Sequence, residues 1–300
     1  MTVSTRVPLL LAGLVDDAAV IPPCATAFPE AVAAHRRHRS AWYADLVGPL
    51  LLPASLWAET LVLSGAEDPL AVGIVGDAGP APEGLSQLKF ALTSVRDRVT
   101  VRHAEVPVAM RGDDPMPGLL AVLELDRAIN DGTRAGSVDF YAEIPLTWGV
   151  LASLDRLAEA RTHGAAVAPK FRTGGLAAEL FPTPVELAAV ICACRDRGLP
   201  FKVTTGLHRG VRRTDPETGL VNHGFLNILA AVLSAAAGAE AADLVELLGG
   251  TDPISLAQVV QGSLDQPCPL WRGFGVCDLT EPLADLRSFG LLPAPPRTMS

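Results

Sequence analysis

Short apolar runs alternate with longer stretches of helical period along almost the whole chain. A strand covered on both faces reads as a continuous Val/Ile/Leu-rich run, so this rhythm predicts parallel strands separated by helices. The strands are expected at about 8–15, 50–54, 70–75, 99–106, 138–144, 165–171, 201–205 and 272–277. Helical patterns follow them at about 29–46, 56–64, 82–95, 116–129, 149–161, 183–196, 224–237 and 281–289. An extra helical excursion over about 240–262 precedes the last strand, and the Ala-rich stretch 230–242 reads as buried helix. Eight strand–helix units in 300 residues predict an α/β (β/α)8 TIM barrel in one domain over 1–292, with a Pro-rich tail at 293–300. An open doubly wound sheet is disfavoured, because neither G-x-G-x-x-G nor G-x-x-x-x-G-K-[ST] is present.

In a barrel, alternate strand residues face inward and the carboxyl ends of the strands carry the active site. Parity turns Asp139, Tyr141 and Glu143 inward on the fifth strand, Lys170 and Arg172 on the sixth, and Lys202, Thr204, Gly206 and His208 around the seventh. Asp139, low on its strand, is expected in a paired, buried layer. His103 and Glu105 share a face with Val99 and Val101, which leaves the fourth strand open to either orientation.

Composition changes this picture in two ways. A hydrophobic content of 49% supports a large core, and a net charge of −9 argues against nucleic acid or an anionic membrane as a partner. Five cysteines without zinc-site spacing read as free thiols; no signal peptide or 18-residue apolar span is evident, and a cytoplasmic protein is expected. The second change is more pointed, since only three lysines stand against 21 arginines and two of them, Lys170 and Lys202, fall on neighbouring predicted strands. An amine can lose its proton or form a Schiff base where a guanidinium cannot. Two such amines side by side are expected to disfavour each other's protonation, leaving one a nucleophile.

The segments Lys170-Phe171-Arg172-Thr173-Gly174-Gly175 and Lys202-Val203-Thr204-Thr205-Gly206 resemble the paired lysines of Schiff-base class I aldolases, of the deoxyribose-phosphate aldolase type. The resemblance implies that Lys170 forms the imine and that Lys202 tunes it. It spans only Lys170 to Gly206, and Phe171-Arg172 stands where that family places small hydroxyl residues.

Past the seventh strand, His208-Arg209-Gly210-Val211-Arg212-Arg213 concentrates positive charge in a loop position that often binds phosphate in barrels. Gly273 and Gly275 on the last strand would allow close backbone approach, and a helix opening at Gly224 would supply free N–H groups. Asp16, Asp17, Asp77, Glu105 and Glu143 are oxygen donors near strand ends, but they read more simply as caps and turn residues, so no metal and no cofactor is expected. His35 and His38, among Arg36, Arg37 and Arg39, read as a solvated basic helix face.

The sequence therefore predicts a lyase acting on a small anionic carbonyl compound. Its catalytic set would be Lys170, Lys202, Glu143 and Tyr141, and its substrate-binding set Arg172, Thr173, His208, Arg209, Gly273 and Gly275. Two alternatives remain open: an isomerase or divalent-metal-assisted lyase, and a ligand-binding or scaffold barrel without catalysis. A homo-oligomer is compatible with the sequence.

Overall fold

A computed structural model describes residues 6–24, 26–63, 69–94, 99–131 and 137–294. Eight strands run parallel around a barrel: β1 (Val15–Asp17), β2 (Val47–Pro53), β3 (Leu70–Val75), β4 (Val99–Pro107), β5 (Asp139–Glu143), β6 (Val167–Arg172), β7 (Lys202–Thr204) and β10 (Phe274–Val276). A two-residue hairpin, β8 (Arg213–Thr214) with β9 (Val221–Asn222), projects from the connection after β7. The sheet order β10-β1-β2-β3-β4-β5-β6-β7 closes through a bridge between Phe201 and Trp271, backed by Arg272 N–H to Phe201 O at 2.8 Å and Phe201 N–H to Leu270 O at 2.9 Å. This is a TIM barrel, as the alternating pattern predicts.

The helices are α1 (Phe28–Ser40), α2 (Trp57–Leu63), α3 (Leu85–Thr93), α4 (Met116–Asn130), α5 (Val150–Thr162), α6 (Pro184–Asp196), α7 (Phe225–Ala236), α8 (Ala241–Gly249), α9 (Pro253–Gln261) and α10 (Thr280–Ser288). Leu50, Leu52, Val72, Ile74, Phe140, Ala142, Phe171, Phe201 and Val203 are buried on the outer faces of the strands, where they join the core formed with the helices. The helical excursion is α8 and α9; Gly238, at φ +96°, turns the chain out of α7 before α8 begins. Leu291 and Leu292 are buried at the end of the barrel domain, and of the predicted tail residues 295–300 lie outside the described residues.

Three expectations are corrected. The run 8–15 is not a strand: Leu9–Leu11 forms a 3-10 turn with Leu10 and Leu11 buried, Gly13 at φ +64° redirects the chain, and β1 begins only at Val15. The first long helix ends at Ser40, not near 46, because Ala41 is extended. Asp139 is exposed at the entry to β5, not buried in a paired layer.

Irregularities in two ladders decide what faces the interior. On β4 the partners step from Val72↔Val101 to Gly73↔His103, so Arg102 is an extra residue. An inserted residue reverses parity. Val99 and Val101 thus match the outward Leu70 and Val72, whereas His103 and Glu105 match the inward Gly73 and Val75, which settles the orientation the sequence left open. A similar step on β2, from Val15↔Val47 to Asp17↔Leu50, sets Gly48 and Pro49 against Asp16. Both bulges stand next to the residues that build the site.

Candidate active site

The barrel interior holds alternating charges. Asp16 comes from β1, His103 and Glu105 from β4, Tyr141 and Glu143 from β5, Lys170 and Arg172 from β6, and Lys202 from β7. Lys170 and Lys202 are direct ladder partners, so their stems leave adjacent strands at one height. Glu105 bridges them, with Oε2 2.7 Å from Lys170 Nζ and Oε1 2.7 Å from Lys202 Nζ. Lys202 also donates to Asp16 Oδ2 and lies 3.2 Å from His103 Nε2, while its ammonium stands 5.0 Å above the Tyr141 ring. Lys170 meets Glu143 Oε2 at 2.9 Å, and the Arg172 guanidinium donates to Glu143 Oε1 through Nε at 2.9 Å and Nη2 at 2.7 Å. Three cations thus interleave with three carboxylates in one continuous network, the arrangement in which buried charge is tolerated.

Space for this network comes from missing side chains. A Cβ on Gly48 would lie 1.9 Å from Asp16 Oδ1, and one on Gly73 would lie 2.4 Å from His103 Nε2. The glycines on β2 and β3 let polar side chains of the flanking strands lean across them.

Electrostatics correct the expectation about the amines. The two lysines do not leave one another neutral: burial alone would favour the neutral amine, but Glu105 and Glu143 raise the pKa of Lys170 above its ordinary value, and Asp16 and Glu105 raise that of Lys202 further. The same pairing works on the carboxylates. Burial opposes ionisation of both glutamates, yet Lys170 and Lys202 hold Glu105 well below the usual range, and Lys170 with Arg172 lowers Glu143. At Asp16 burial outweighs the cations and its carboxyl is pushed up. Burial lifts the Tyr141 phenol to about 12, so it stays protonated at neutral pH.

The network borders a large cavity. A cavity of about 510 Å³ at the carboxyl ends of the strands is lined by Glu105, Glu143, Lys170, Arg172, Thr204, His208 and Gly275, among others; Lys202, Asp16, His103 and Tyr141 lie behind its wall. Two smaller cavities adjoin it. One, of about 160 Å³, shares Gly175, Gly206, His208 and Asn222 with it and adds Arg209, Arg213 and Asp215. The other, of about 330 Å³, shares Pro107, Glu143, Arg172 and Leu180.

Of the residues singled out in the sequence, Lys170, Glu143, Arg172, His208 and Gly275 therefore meet around one cavity, with Arg209 in its annex. Thr173 is buried and its hydroxyl is engaged by Thr205 O at 2.6 Å and Thr204 O at 3.2 Å. Gly273, at φ +121°, lies against the backbone of Leu14, away from the cavity. The expected free N–H groups at the start of α7 are occupied: Phe225 and Leu226 donate to the Arg209 and Gly210 carbonyls. Thr205 holds a left-handed conformation at φ +62°, unusual for a β-branched residue, at the cavity wall.

Two features went unread in the sequence. Cys24, in the loop after β1, is disulfide-bonded to Cys277 at the end of β10, so the five thiols are not all free; both cysteines line the large cavity. His35 is buried in α1 and pairs with Asp17 Oδ2 at 3.1 Å, so this part of the helix is not a solvated basic face. Among the described residues no helix is long and apolar enough to cross a membrane. No protein-family model matches the chain, and no curated protein is significantly similar to it.

Proposed function

We propose that the protein is an aldolase-type lyase that forms an imine between Lys170 and a small anionic carbonyl compound. The observation that carries this reading is positional: Lys170 is the amine lining the cavity, and it stands between two carboxylates that suit a positively charged nitrogen. An iminium carries the same charge as the ammonium it replaces, so Glu105 and Glu143 would stabilise both.

Deprotonation of Lys170 is uphill, because its carboxylate partners raise its pKa while its cationic neighbours lower that of Glu143, so Glu143, 2.9 Å away, relays the ammonium proton to the substrate without holding it. The amine then attacks the carbonyl carbon, and the carbonyl oxygen takes that proton to give a carbinolamine. Loss of hydroxide as water, with the second amine proton routed through the same carboxylate, leaves the protonated imine. Lys202 does not face substrate; its charge keeps Glu105 ionised and lessens the basicity felt by Lys170. Arg172 offers Nη1, which has no protein partner among the described residues; with Arg209 it supplies the positive charge that would hold the substrate anion, and His208 lines the same cavity.

Borohydride added with pyruvate, glyoxylate or glyceraldehyde 3-phosphate is expected to fix a covalent adduct on Lys170, read by peptide mass. Lys170→Arg keeps the charge and should abolish the adduct, whereas Lys202→Met should shift trapping to higher pH. No adduct on Lys170 with any anionic carbonyl across pH 6 to 9 would reject the reading.

One observation favours a second reading. Donor atoms of Asp16, His103 and Glu105 lie within 4.8 Å of one another, a nitrogen and two oxygens that suit a divalent transition metal in a metal-assisted lyase or isomerase. In this structure the Lys202 ammonium lies against all three side chains. Activity that survives Lys170→Arg and disappears with EDTA would decide for the metal.

A further inference from the structure

The 330 Å³ cavity beside the Lys170 chamber differs in chemistry from its neighbours. Its wall is built from Met110, Ile144, Pro145, Leu146, Leu180 and Pro182, and the charged side chains Arg111, Glu179 and Glu186 also border it. It shares Pro107, Glu143, Arg172 and Leu180 with the main chamber, so the Glu143–Arg172 pair stands at the border between the two. The basic annex with Arg209 and Arg213 meets the same chamber along a different set of residues, Gly175, Gly206, His208 and Asn222. The two branches differ in lining: the annex carries Arg209, Arg213 and Asp215, whereas this cavity is faced mainly by apolar side chains.

We infer that the substrate of this site is bipartite, a carbonyl compound with an anionic group and an apolar arm, and that the apolar arm occupies the cavity of Met110, Ile144, Leu146, Leu180 and Pro182. The inference rests on the carbonyl-site reading above and adds to it the class of substrate. A purely polar three- or four-carbon compound would leave this surface wetted, and removal of apolar surface from water is the general source of affinity in such pockets. The volume admits an arm of on the order of ten non-hydrogen atoms, taking roughly 30 Å³ for each water-sized unit. A phenyl ring or a short branched alkyl chain fits; a long acyl chain does not. Exposed apolar side chains also stand on the two loops that border this cavity. Met110 is 62% exposed on the loop after β4, and Trp148 is 60% exposed on the loop after β5, where its indole N–H donates to Gly112 O at 2.9 Å and ties the two loops together.

Non-reactive probes test the cavity without the chemistry. Carboxylates form no imine, so the affinities of 4-phenylbutyrate and butyrate for the wild-type protein, measured by calorimetry or ligand-observed NMR, report the apolar arm alone. Phenylbutyrate is expected to bind at least tenfold more tightly. Leu146→Trp, which fills the cavity, should remove that advantage, and so should Met110→Glu, at an exposed position where the fold bears a charge readily. Both variants should still give the borohydride adduct with pyruvate. Equal affinity for the two carboxylates overturns the inference, as does a phenylbutyrate advantage that neither substitution reduces, since the arm would then lie elsewhere. If phenylbutyrate behaves as expected but no adduct forms on Lys170, the apolar site stands and the imine reading fails.

Discussion

Lys202 and His223 are equally buried, 2% and 1% exposed, yet the barrel interior and the loop layer above it treat them in opposite ways. For each, burial is the largest influence and favours the neutral form. In the barrel, Asp16 and Glu105 lie against the ammonium and overcome that penalty, so Lys202 keeps its proton more firmly than in water. In the loop layer no carboxylate among the described residues pairs with His223. Its Nε2–H donates to Pro182 O at 2.7 Å, its Nδ1 accepts from Arg212 at 3.2 Å, and its pKa falls to about 4. Burial sets the stakes, and the first contact decides the sign.

The largest effect should come from breaking the paired region. Lys202→Met leaves Asp16 and Glu105 buried with one cation fewer, and a loss of about 3 to 5 kcal/mol is expected in urea unfolding. Adding Asp16→Asn to Lys202→Met should recover part of this, because the uncompensated charge is then removed; a double variant less stable than Lys202→Met would show that packing, not charge, dominates. For the unpaired region pH is the probe. His223 is neutral in the folded chain and has an ordinary value of about 6.5 when unfolded, so its contribution is fully present above about 6.5 and is lost as the pH falls toward and through about 4. That loss amounts to at most about 3 kcal/mol. His223→Gln should flatten the stability curve across this window, and an unchanged slope would mean the acid sensitivity arises elsewhere. Glu105 and Glu143, held low by their partners, add their own loss only at lower pH, below the ordinary carboxylate value of about 4.3. The smallest effect tests the space between the charges: Gly73→Ala puts a methyl group on His103 and should cost about 1 to 3 kcal/mol in thermal unfolding.

What could be read from the sequence divides along similar lines. Strands buried on both faces announce themselves, so 70–75 was located to the residue and the inward parity of Lys170 and Lys202 followed from the apolar residues between them. An apolar run is ambiguous where a turn can bury it equally well, and Leu9–Leu11 was therefore misread; Asp16, expected at a strand end, lies inside β1. Parity counting also fails at an inserted residue. The bulge at Arg102 hid the orientation of Glu105, the carboxylate that links both lysines, although Gly73 inside the apolar run 70–75 is a local sign of close side-chain approach. Nothing local could pair Cys24 with Cys277 across 253 residues.

That disulfide alters the connectivity of the molecule. It joins the loop after the first barrel strand to the end of the last, so residues 24–277 form a covalent ring as well as a fold. A single protease cut within that ring, for example in the exposed turn at Pro216–Gly219, would open the main chain without releasing a fragment. While the bond is intact the nicked protein would stay one covalent molecule, heavier by a single water; once reduced, it would come apart into two pieces, with Lys170 and Lys202 together on the longer one.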